Sequence, residues 1–442
     1  MSRATRRISR LVPSARCAFL CLSVLMPSQL ASAAWTTNQG DAGHTGYVPV
    51  SLDVSAIHVA WQRTFDGKLN PLAIADGRVF ASQLSNNSDP TRKVMALDAS
   101  NGNTIWTASP GGSRLAPPAY ANGTVYVQNT STDTPTIMPY LTGYNATTGA
   151  VVTQTQYTQQ GGELYNSPTP FQGNVYFVGG THGGLYSANG TTGATNWFQS
   201  NLPQPFGFSP AVNSSFVYGY LSDSFYPKGL YAINRTSGAI AYVIPDPYLP
   251  PGWDTNYALY AATATLGSQQ DAFAISFGRL IKFNLASPSI AWVLPNTPTT
   301  FAVGKGNVFA AVNDDGSGFG TRLDALSEAS GQLIWSWTPP NENILSNIVV
   351  TDTDLFFATM TKIYGIDLLT HQMDWSADIA TNFGAELHLA LSDGQLYFSN
   401  VDKHAGETTI TAYSLAIVPE PSGLLLVTLG LSLLMGRRAI RR

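Results

Sequence analysis

Cysteine is almost absent from this chain of 442 residues, since its two cysteines, Cys17 and Cys21, both lie near the amino terminus. The rest of the chain therefore has no thiol for a disulfide, a thiolate metal site or a cysteine nucleophile. Charged residues are also scarce, at 11% of the sequence. Stability must then come from burial of apolar side chains, and the chain is long enough to bury a large core.

The few charges are unevenly distributed along the chain. Of the 23 lysines and arginines, nine lie in the first 33 and the last 24 residues, so residues 34–418 carry 14 basic and 26 acidic residues, a net charge of −12. An acidic body repels phosphate backbones, which argues against nucleic-acid binding. The 40 glycines and 27 prolines are typical of a loop-rich, all-β protein.

The first 33 residues have the three parts of a secretory signal peptide. The basic part contains five arginines: Arg3, Arg6, Arg7, Arg10 and Arg16. An apolar stretch follows from Cys17 to Met26, and the small residues Ala33 and Ala34 mark the predicted cleavage site. We therefore expect an exported protein whose mature chain begins near Ala34 or Trp35.

The last 24 residues form a second signal. The motif Pro419-Glu420-Pro421 precedes an apolar run over residues 423–436 and a terminal arginine cluster that begins with Arg437 and Arg438. This order resembles the PEP-CTERM sorting signal of Gram-negative bacteria, which implies a short transmembrane helix and removal by the membrane enzyme exosortase. Arginines beside an apolar helix stay on the cytoplasmic side. An ordinary membrane anchor is the alternative, but the apolar run is shorter than the ~20 residues that span a bilayer comfortably.

A repeat of about 45 residues runs through the region between these signals. Its first unit is a turn followed by a strand of β-branched and aromatic residues. The clear copies begin at Asp76, Asn122, Gln172, Lys305 and Asp393, and weaker copies run through Phe216, Phe273 and Leu355. Eight copies predict eight similar structural units.

A second unit follows each of the first seven copies and consists of a strand, a polar turn and a strand that often carries tryptophan. The Thr-Gly, Ser-Gly or Asn-Gly pair in the turn tolerates positive φ, as a tight hairpin requires. Four short strands per 45 residues make one propeller blade. We therefore predict an all-β fold, an eight-bladed β-propeller over residues 34–418. The fifth repeat departs from the pattern, because Ala286-Ser287-Pro288 replaces its polar turn.

The eighth repeat lacks its last strand, because the strand Ile410–Ile417 continues directly into the sorting signal. A segment near the amino terminus, Ile57–Arg63, has the required strand pattern and contains Trp61. We predict that the two ends of the chain share the eighth blade. This closure removes an exposed sheet edge, which would otherwise favour aggregation.

The hairpin units and the opening residues Trp35 and Asp41–Tyr47 resemble the PQQ-like propeller superfamily, also called quinoprotein alcohol dehydrogenase-like. For catalytic members, the resemblance implies a quinone on the ring axis, clamped by a tryptophan and in many by a cysteine pair, with calcium bound by acidic and amide side chains. The mature chain lacks the cysteine pair, and its tryptophans fall at the hairpin position, where we expect them to pack between blades. We expect no catalytic residue and no cofactor. A dehydrogenase that binds PQQ and calcium is the alternative.

Three further sets of residues are candidate sites. Asn313, Asp314 and Asp315 have the oxygen-rich composition of a calcium loop but lack a properly spaced distal glutamate, so an ordinary hairpin tip is favoured. The six histidines show no metal-ligand spacing, and His44 is expected to make structural hydrogen bonds. The loop Pro245–Tyr260 is rich in proline and aromatic residues, which can stack on sugars or grip a peptide, or pack over their own blade.

These observations predict an exported, non-catalytic binding or scaffold protein. The sorting signal implies a transient inner-membrane stage with exosortase as a partner. The destination it implies is the cell surface, the outer membrane or the extracellular polysaccharide matrix, where the partner is a polysaccharide or a surface protein. A propeller of the outer-membrane assembly type is a further alternative.

Overall fold

The computed structural model describes most of the chain between the two terminal signals. The described residues are 34–84, 92–110, 114–130, 139–158, 166–179, 183–202, 208–222, 227–248, 260–268, 270–295, 298–382, 384–392 and 394–417. Among them every regular element is a β-strand, as predicted. No helix long and apolar enough to cross a membrane is found in this part of the chain.

The strands of the first half of the ring build blades 1 to 4. Strand β1 spans Leu52–Asp66 and belongs to the last blade. Blade 1 comprises β2 (Ala73–Ala75), β3 (Arg78–Ser82), β4 (Val94–Asp98) and β5 (Thr104–Ala108); blade 2 comprises β6 (Arg114–Leu115), β7 (Ala119–Ala121), β8 (Thr124–Thr130), β9 (Tyr140–Asn145) and β10 (Val151–Gln156); blade 3 comprises β11 (Thr169–Phe171), β12 (Asn174–Val178), β13 (Leu185–Asn189) and β14 (Thr195–Gln199); blade 4 comprises β15 (Ala211–Val212), β16 (Phe216–Ser222), β17 (Gly229–Asn234), β18 (Ile240–Pro245) and β19 (Tyr260–Ala262).

The strands of the second half build blades 5 to 8. Blade 5 comprises β20 (Thr265–Leu266), β21 (Asp271–Ser276), β22 (Arg279–Asn284) and β23 (Ser289–Leu294); blade 6 comprises β24 (Pro298–Gly304), β25 (Asn307–Val312), β26 (Arg322–Ser327) and β27 (Leu333–Trp337); blade 7 comprises β28 (Val349–Val350), β29 (Asp354–Ala358), β30 (Lys362–Asp367) and β31 (Met373–Asp378); blade 8 comprises β32 (Glu386–Ser392), β33 (Gln395–Asp402), β34 (Glu407–Ile417) and β1.

Each blade is an antiparallel sheet. In blades 1, 3, 5, 6 and 7 the four strands pair in chain order, whereas β6 and β7 both pair with β8 in blade 2, β19 pairs with β16 in blade 4, and β1 pairs with β34 at the outer edge of blade 8. The innermost strands contact one another around the axis: β2, β7, β11 and β15 follow in series, and β20, β24, β28 and β32 lead back to β2. Strand β19 of blade 4 contacts β21 of blade 5. The eight-bladed propeller predicted from the repeats is therefore confirmed.

The predicted closure of the ring is also confirmed. Strand β1 pairs antiparallel with β34 from Leu52 opposite Ile417 to Asp66 opposite Glu407, so it supplies the outermost strand of blade 8. The indole Nε1 of Trp61 donates a 2.7 Å hydrogen bond to the carbonyl oxygen of Ala99 in blade 1. The two ends of the chain are thus joined in one sheet, and that sheet is docked onto the first blade.

The core is a series of apolar layers between neighbouring blades. Each blade places one buried aromatic residue near the middle of its second strand, and these are Phe80, Tyr126, Tyr176, Tyr218, Phe273, Phe309, Phe356 and Tyr397. They are the aromatic residues of the first repeat unit, which explains why the repeat was visible in the sequence. Burial of a side chain of this size contributes about 1.5–3 kcal/mol, so eight of them supply a large part of the ring's stability.

Tryptophans of the second repeat unit dock onto the next blade, as expected. Trp106 of blade 1 donates from Nε1 to Ala146 O of blade 2 at 2.9 Å, and Trp197 of blade 3 donates to Arg235 O of blade 4 at 3.0 Å. The turn glycine of the next blade lies against each indole, since a Cβ on Gly149 or Gly238 would stand 2.6 Å from a ring atom. The turn therefore needs glycine for two reasons, its positive φ and this close approach.

The irregular fifth repeat follows from the same packing. Blade 4 has Tyr242, not tryptophan, at the docking position. Tyr242 and Leu285, which begins the turn of blade 5, lie in one apolar cluster. Ala286-Ser287-Pro288 therefore stands under a tyrosine, where the turns of blades 1, 2, 4 and 6 have a glycine under an indole.

Candidate functional site

The N-terminal segment, residues 34–51, follows the inner strands around the ring before it enters β1. Trp35 forms a pair of backbone hydrogen bonds with Ile74 of blade 1, at 2.9 and 2.7 Å, and Tyr120 N of blade 2 donates to Thr36 O at 2.7 Å. Thr37 Oγ1 donates to Pro168 O beside blade 3 at 2.8 Å. The segment thus contacts the first three blades within three residues of its own length.

The second half of the segment continues this path. Backbone N–H groups of blades 4, 5, 6 and 7 donate to its carbonyl oxygens: Val212 N to Ala42 O at 2.7 Å, and Leu266 N to Gly43 O, Val303 N to Thr45 O and Val350 N to Gly46 O, each at 2.8 Å. One short stretch of chain therefore links seven blades, and β1 links the eighth.

His44 fixes the middle of the N-terminal segment. Its side chain is fully buried, with Nδ1 2.6 Å from Asn38 O and Nε2 3.0 Å from Pro210 O. Burial lowers the pKa of His44. Asp41 Oδ1 accepts from Gly43 N at 2.8 Å in the same turn. The interpretation of His44 as a structural residue is confirmed.

The axial cavity lies beside this segment and has a volume of about 390 Å³. Trp35, Asn38 and Gln39 of the N-terminal segment are among its lining residues. The other lining residues come from blades 1 and 4 to 8; Leu72 and Thr300, for example, lie shortly before Ile74 and Val303, which bond to the N-terminal segment. This volume is within the range of small-molecule sites.

The walls of the axial cavity carry polar but uncharged side chains. Asn347 Oδ1 accepts from Leu389 N at 2.8 Å and its Nδ2 donates to Leu389 O at 2.9 Å, so this amide is held in place. Gln39 Nε2 donates to Phe301 O at 3.3 Å. No lysine, arginine, aspartate or glutamate is among the described residues that line the cavity.

His388 and Ser399 face the cavity from neighbouring strands. They are directly opposite each other in the register of β32 and β33. Ser399 is 1% exposed, and its Oγ has no hydrogen-bond partner among the described residues. Burial lowers the pKa of His388, so its imidazole is neutral at pH 7 with one donor and one acceptor nitrogen. Neither residue stood out in the sequence, because each is an ordinary member of a strand.

The quinone site implied by the resemblance does not fit this cavity. A quinone with ionised carboxylates needs cationic partners, and a calcium ion needs acidic ligands, but the lining described above offers neither. The tryptophans of the hairpin units lie on outer strands, where Trp61, Trp106 and Trp197 bond to the next blade. Trp35 is the one tryptophan among the described lining residues.

The predicted calcium-loop candidate lies between β25 and β26 at the rim of blade 6. Asn313 Oδ1 accepts from Gly316 N at 2.9 Å, and Asp315 Oδ1 accepts from Ser317 N at 2.8 Å. The hydrogen bonds from Ser317 lower the pKa of Asp315. Asp314 forms an ion pair with Arg322. One side-chain oxygen of each of these three residues is therefore engaged, two within the loop and one with Arg322 of β26.

A different acidic cluster was missed by sequence reasoning. The carboxylates of Asp354, Asp367 and Asp374 in blade 7 lie within 4.8 Å of one another. Burial, with Asp374 and Asp367 nearby, raises the pKa of Asp354 to about 7. Asp367 Oδ1 accepts from Leu369 N at 3.0 Å, and Asp354 Oδ2 accepts from Thr353 Oγ1 at 2.5 Å. Carboxylates this close to one another share protons. The register of β29 and β30 pairs Asp354 with Asp367, so an alignment of these two predicted strands would have indicated the cluster.

The remaining predicted residues lie outside the described part of the chain. These are Ala33 of the cleavage site and Pro419, Glu420, Pro421, Arg437 and Arg438 of the sorting signal. Ala34 is described, and it packs against the apolar cluster between blades 1 and 2. The aromatic loop is described as far as Tyr248, whose ring lies 3.8 Å from the guanidinium of Arg279.

Comparison with known proteins agrees with this architecture. A family described as "Outer membrane protein assembly factor BamB" matches residues 51–140 and 91–336, which is more than half of the chain. The chain belongs to this family, whose repeats build PQQ-like propellers. No curated protein matches the chain in a direct sequence search.

Solved structures similar to the protein include an assembly factor and two alcohol dehydrogenases. BamB from Moraxella catarrhalis has 15% sequence identity and a TM-score of 0.58, with 81% of this chain and 99% of that chain covered. The quinohemoprotein alcohol dehydrogenases from Comamonas testosteroni and from Pseudomonas putida HK5 have 14% and 13% identity and TM-scores of 0.65 and 0.62, each with 88% of this chain and 82% of the other covered. At these identities the similarity shows the fold alone.

Proposed function

We propose that the protein is an exported, non-catalytic propeller that binds its ligand in the axial cavity. The observation that carries this proposal is the described lining of that cavity, which combines apolar and aromatic surface with uncharged polar groups and includes residues of the N-terminal segment. Such a lining offers hydrogen bonds and aromatic contact to a ligand, which is the composition of a binding pocket. The family's description, which names an outer-membrane process, supports a place outside the cytoplasm.

The two terminal signals complete the proposal. The signal peptide directs the chain across the inner membrane, and the tail that begins at Pro419 holds it there until exosortase removes it. The released ring then serves at the cell surface, in the outer membrane or in the extracellular polysaccharide matrix. There its partner is a polysaccharide or a surface protein.

Reconstitution tests the non-catalytic part of the proposal. The protein, produced from its full sequence in a Gram-negative host, is incubated with PQQ and calcium chloride and passed over a gel-filtration column. We expect no stoichiometric cofactor in the eluted protein and no dye reduction with primary alcohols, because the described residues that line the cavity include no cation and no carboxylate. A known apo-quinoprotein treated in parallel is the positive control. One bound quinone per chain together with alcohol turnover would establish the dehydrogenase alternative.

A second candidate function is outer-membrane protein assembly. The family description and the 99% coverage of the Moraxella catarrhalis BamB chain favour it. A strain that lacks the gene for this protein distinguishes the two candidate functions. Loss of an assembly factor lowers the amounts of many outer-membrane proteins together, whereas loss of a ligand-binding surface protein leaves them unchanged. Quantitative proteomics of outer-membrane fractions, with the complemented strain as control, separates them.

A further inference from the structure

The buried hydroxyl of Ser399 is the starting point for a narrower assignment of the ligand. It lines the axial cavity, and among the described residues no group satisfies its Oγ. An unsatisfied buried polar group destabilises a fold, so its presence in a native core calls for an explanation. His388, its cross-strand neighbour, lines the same cavity, so a ligand that reaches this pair of strands meets both residues.

Other groups of the cavity are already fixed in orientation. The amide of Asn347 is held by both backbone groups of Leu389, and that of Gln39 by Phe301 O. A rigid amide loses little conformational entropy when a ligand binds, which favours affinity. Trp35 and Phe301 add aromatic surface to the same lining. The cavity therefore combines aromatic surface with neutral donors and acceptors.

The absence of charge in the described lining selects the class of ligand. A carboxylate, phosphate or ammonium group transferred into this cavity would lose its hydration without gaining an ion-pair partner, at a cost of several kcal/mol. A neutral pyranose has the complementary chemistry, because its hydroxyl groups both donate and accept while its C–H face packs on an aromatic ring. A volume of about 390 Å³ has room for a sugar of one or two rings.

We propose that the axial cavity binds one end of a neutral glycan, with Ser399 and His388 as hydrogen-bond partners of its terminal sugar. The proposal rests on the proposed function as a binding protein and names its ligand. Trp35 and Gln39 of the N-terminal segment line the same cavity, so the terminal sugar contacts them as well.

The test is a binding titration with defined sugars. The purified protein is titrated calorimetrically, each ligand up to 10 mM, with methyl glycosides of glucose, galactose, mannose and N-acetylglucosamine, and with glucuronate and glucosamine as charged counterparts. We expect at least one neutral glycoside to bind at least tenfold more tightly than the charged sugars. Ser399→Ala should weaken that binding roughly five- to tenfold, the effect of one lost hydrogen bond, while leaving the melting temperature unchanged or higher.

Ser276→Ala is the matched control, since Ser276 is a fully buried serine on the second strand of blade 5 and is not a lining residue of the cavity. It should bind the glycoside like the wild type. His388→Phe, which keeps an aromatic ring and removes both nitrogens, should weaken binding as Ser399→Ala does. An equal loss of glycoside affinity in Ser399→Ala and Ser276→Ala would refute the location of the binding site in the axial cavity.

Absence of binding to every neutral glycoside would refute the ligand class. The proposed non-catalytic function would then be tested independently, by the quinone reconstitution described above. A preference for the charged sugars would also overturn the inference, because it would require a charged group that the described lining does not contain.

Discussion

Replacing Gly102 with alanine is expected to open the seam at which the two ends of the chain meet. Gly102 lies in the turn of blade 1 with a φ of +72°, against the indole of Trp61 from β1. A left-handed backbone costs alanine about 1–2 kcal/mol. The new Cβ would also stand 2.6 Å from Trp61 Cε3, and relief of such an overlap costs about 1–3 kcal/mol.

Movement of the indole would remove a further contribution. The 2.7 Å hydrogen bond from Trp61 Nε1 to Ala99 O would be lost, at about 1 kcal/mol. We therefore expect Gly102→Ala to lower the free energy of unfolding by roughly 3–6 kcal/mol. Urea unfolding followed by tryptophan fluorescence measures this change, and limited proteolysis shows whether β1 is released.

Two other glycines provide matched controls. Gly77→Ala tests the backbone cost alone, because its φ is +68° and no atom lies within 4 Å of the added Cβ, so about 1–2 kcal/mol is expected. Gly149→Ala repeats the indole clash, with Trp106, at an interior seam. If Gly102→Ala destabilises the protein no more than Gly77→Ala does, Trp61 does not dock on blade 1 and the account of ring closure is refuted.

Three further predictions concern the acidic cluster, the tail and the rim loop. The raised pKa of Asp354 means that the folded state keeps a proton that the unfolded chain releases between about pH 4 and 7, so this group lowers stability as pH rises through that window. Asp354→Asn should therefore gain stability relative to the wild type from pH 5 to pH 8, on the order of 2 kcal/mol, in urea titrations at each pH. Replacement of Pro419, Glu420 and Pro421 by alanine should leave full-length protein in the inner membrane, as seen by fractionation and immunoblotting. Calcium should not raise the melting temperature through the rim loop, because Asp314 is paired with Arg322; Asp315→Asn serves as the comparison.

Each of these expectations has a contrary outcome. A pH dependence that is identical in Asp354→Asn and the wild type would show that Asp354 has an ordinary pKa. Unchanged processing of the alanine variant would remove the basis for assigning a sorting signal. A calcium-dependent rise in melting temperature that Asp315→Asn abolishes would establish a metal site at the rim of blade 6.

The architecture was predictable because the blades repeat the same arrangement of packed aromatic side chains. An aromatic residue such as Phe80 and a docked indole such as Trp106 recur at fixed spacing, so the blades could be counted from sequence. Closure was predictable because the eighth repeat lacked a strand and Ile57–Arg63 had the missing pattern. The structure extends that strand to Leu52–Asp66.

The candidate site could not be predicted in the same way. The alternation of side chains along the strands that contain His388 and Ser399 indicates only which residues are buried. The two residues line a cavity only because the strands of blade 8 that carry them face the axis of the closed ring. The N-terminal segment has no periodicity, since seven of its residues bond to seven different blades in turn. Its path is determined by contacts across the whole ring, which local sequence patterns do not encode.

The position of β34 has a mechanical consequence. Tension applied through the carboxyl-terminal tail acts first on this strand, which is hydrogen-bonded to β33 on one side and to β1 on the other. Two ladders must shear simultaneously before it can be extracted, whereas a strand at a free edge would peel away one pair at a time. A tether at this end therefore pulls on one of the most firmly held strands, and the ring resists load for as long as the tether lasts.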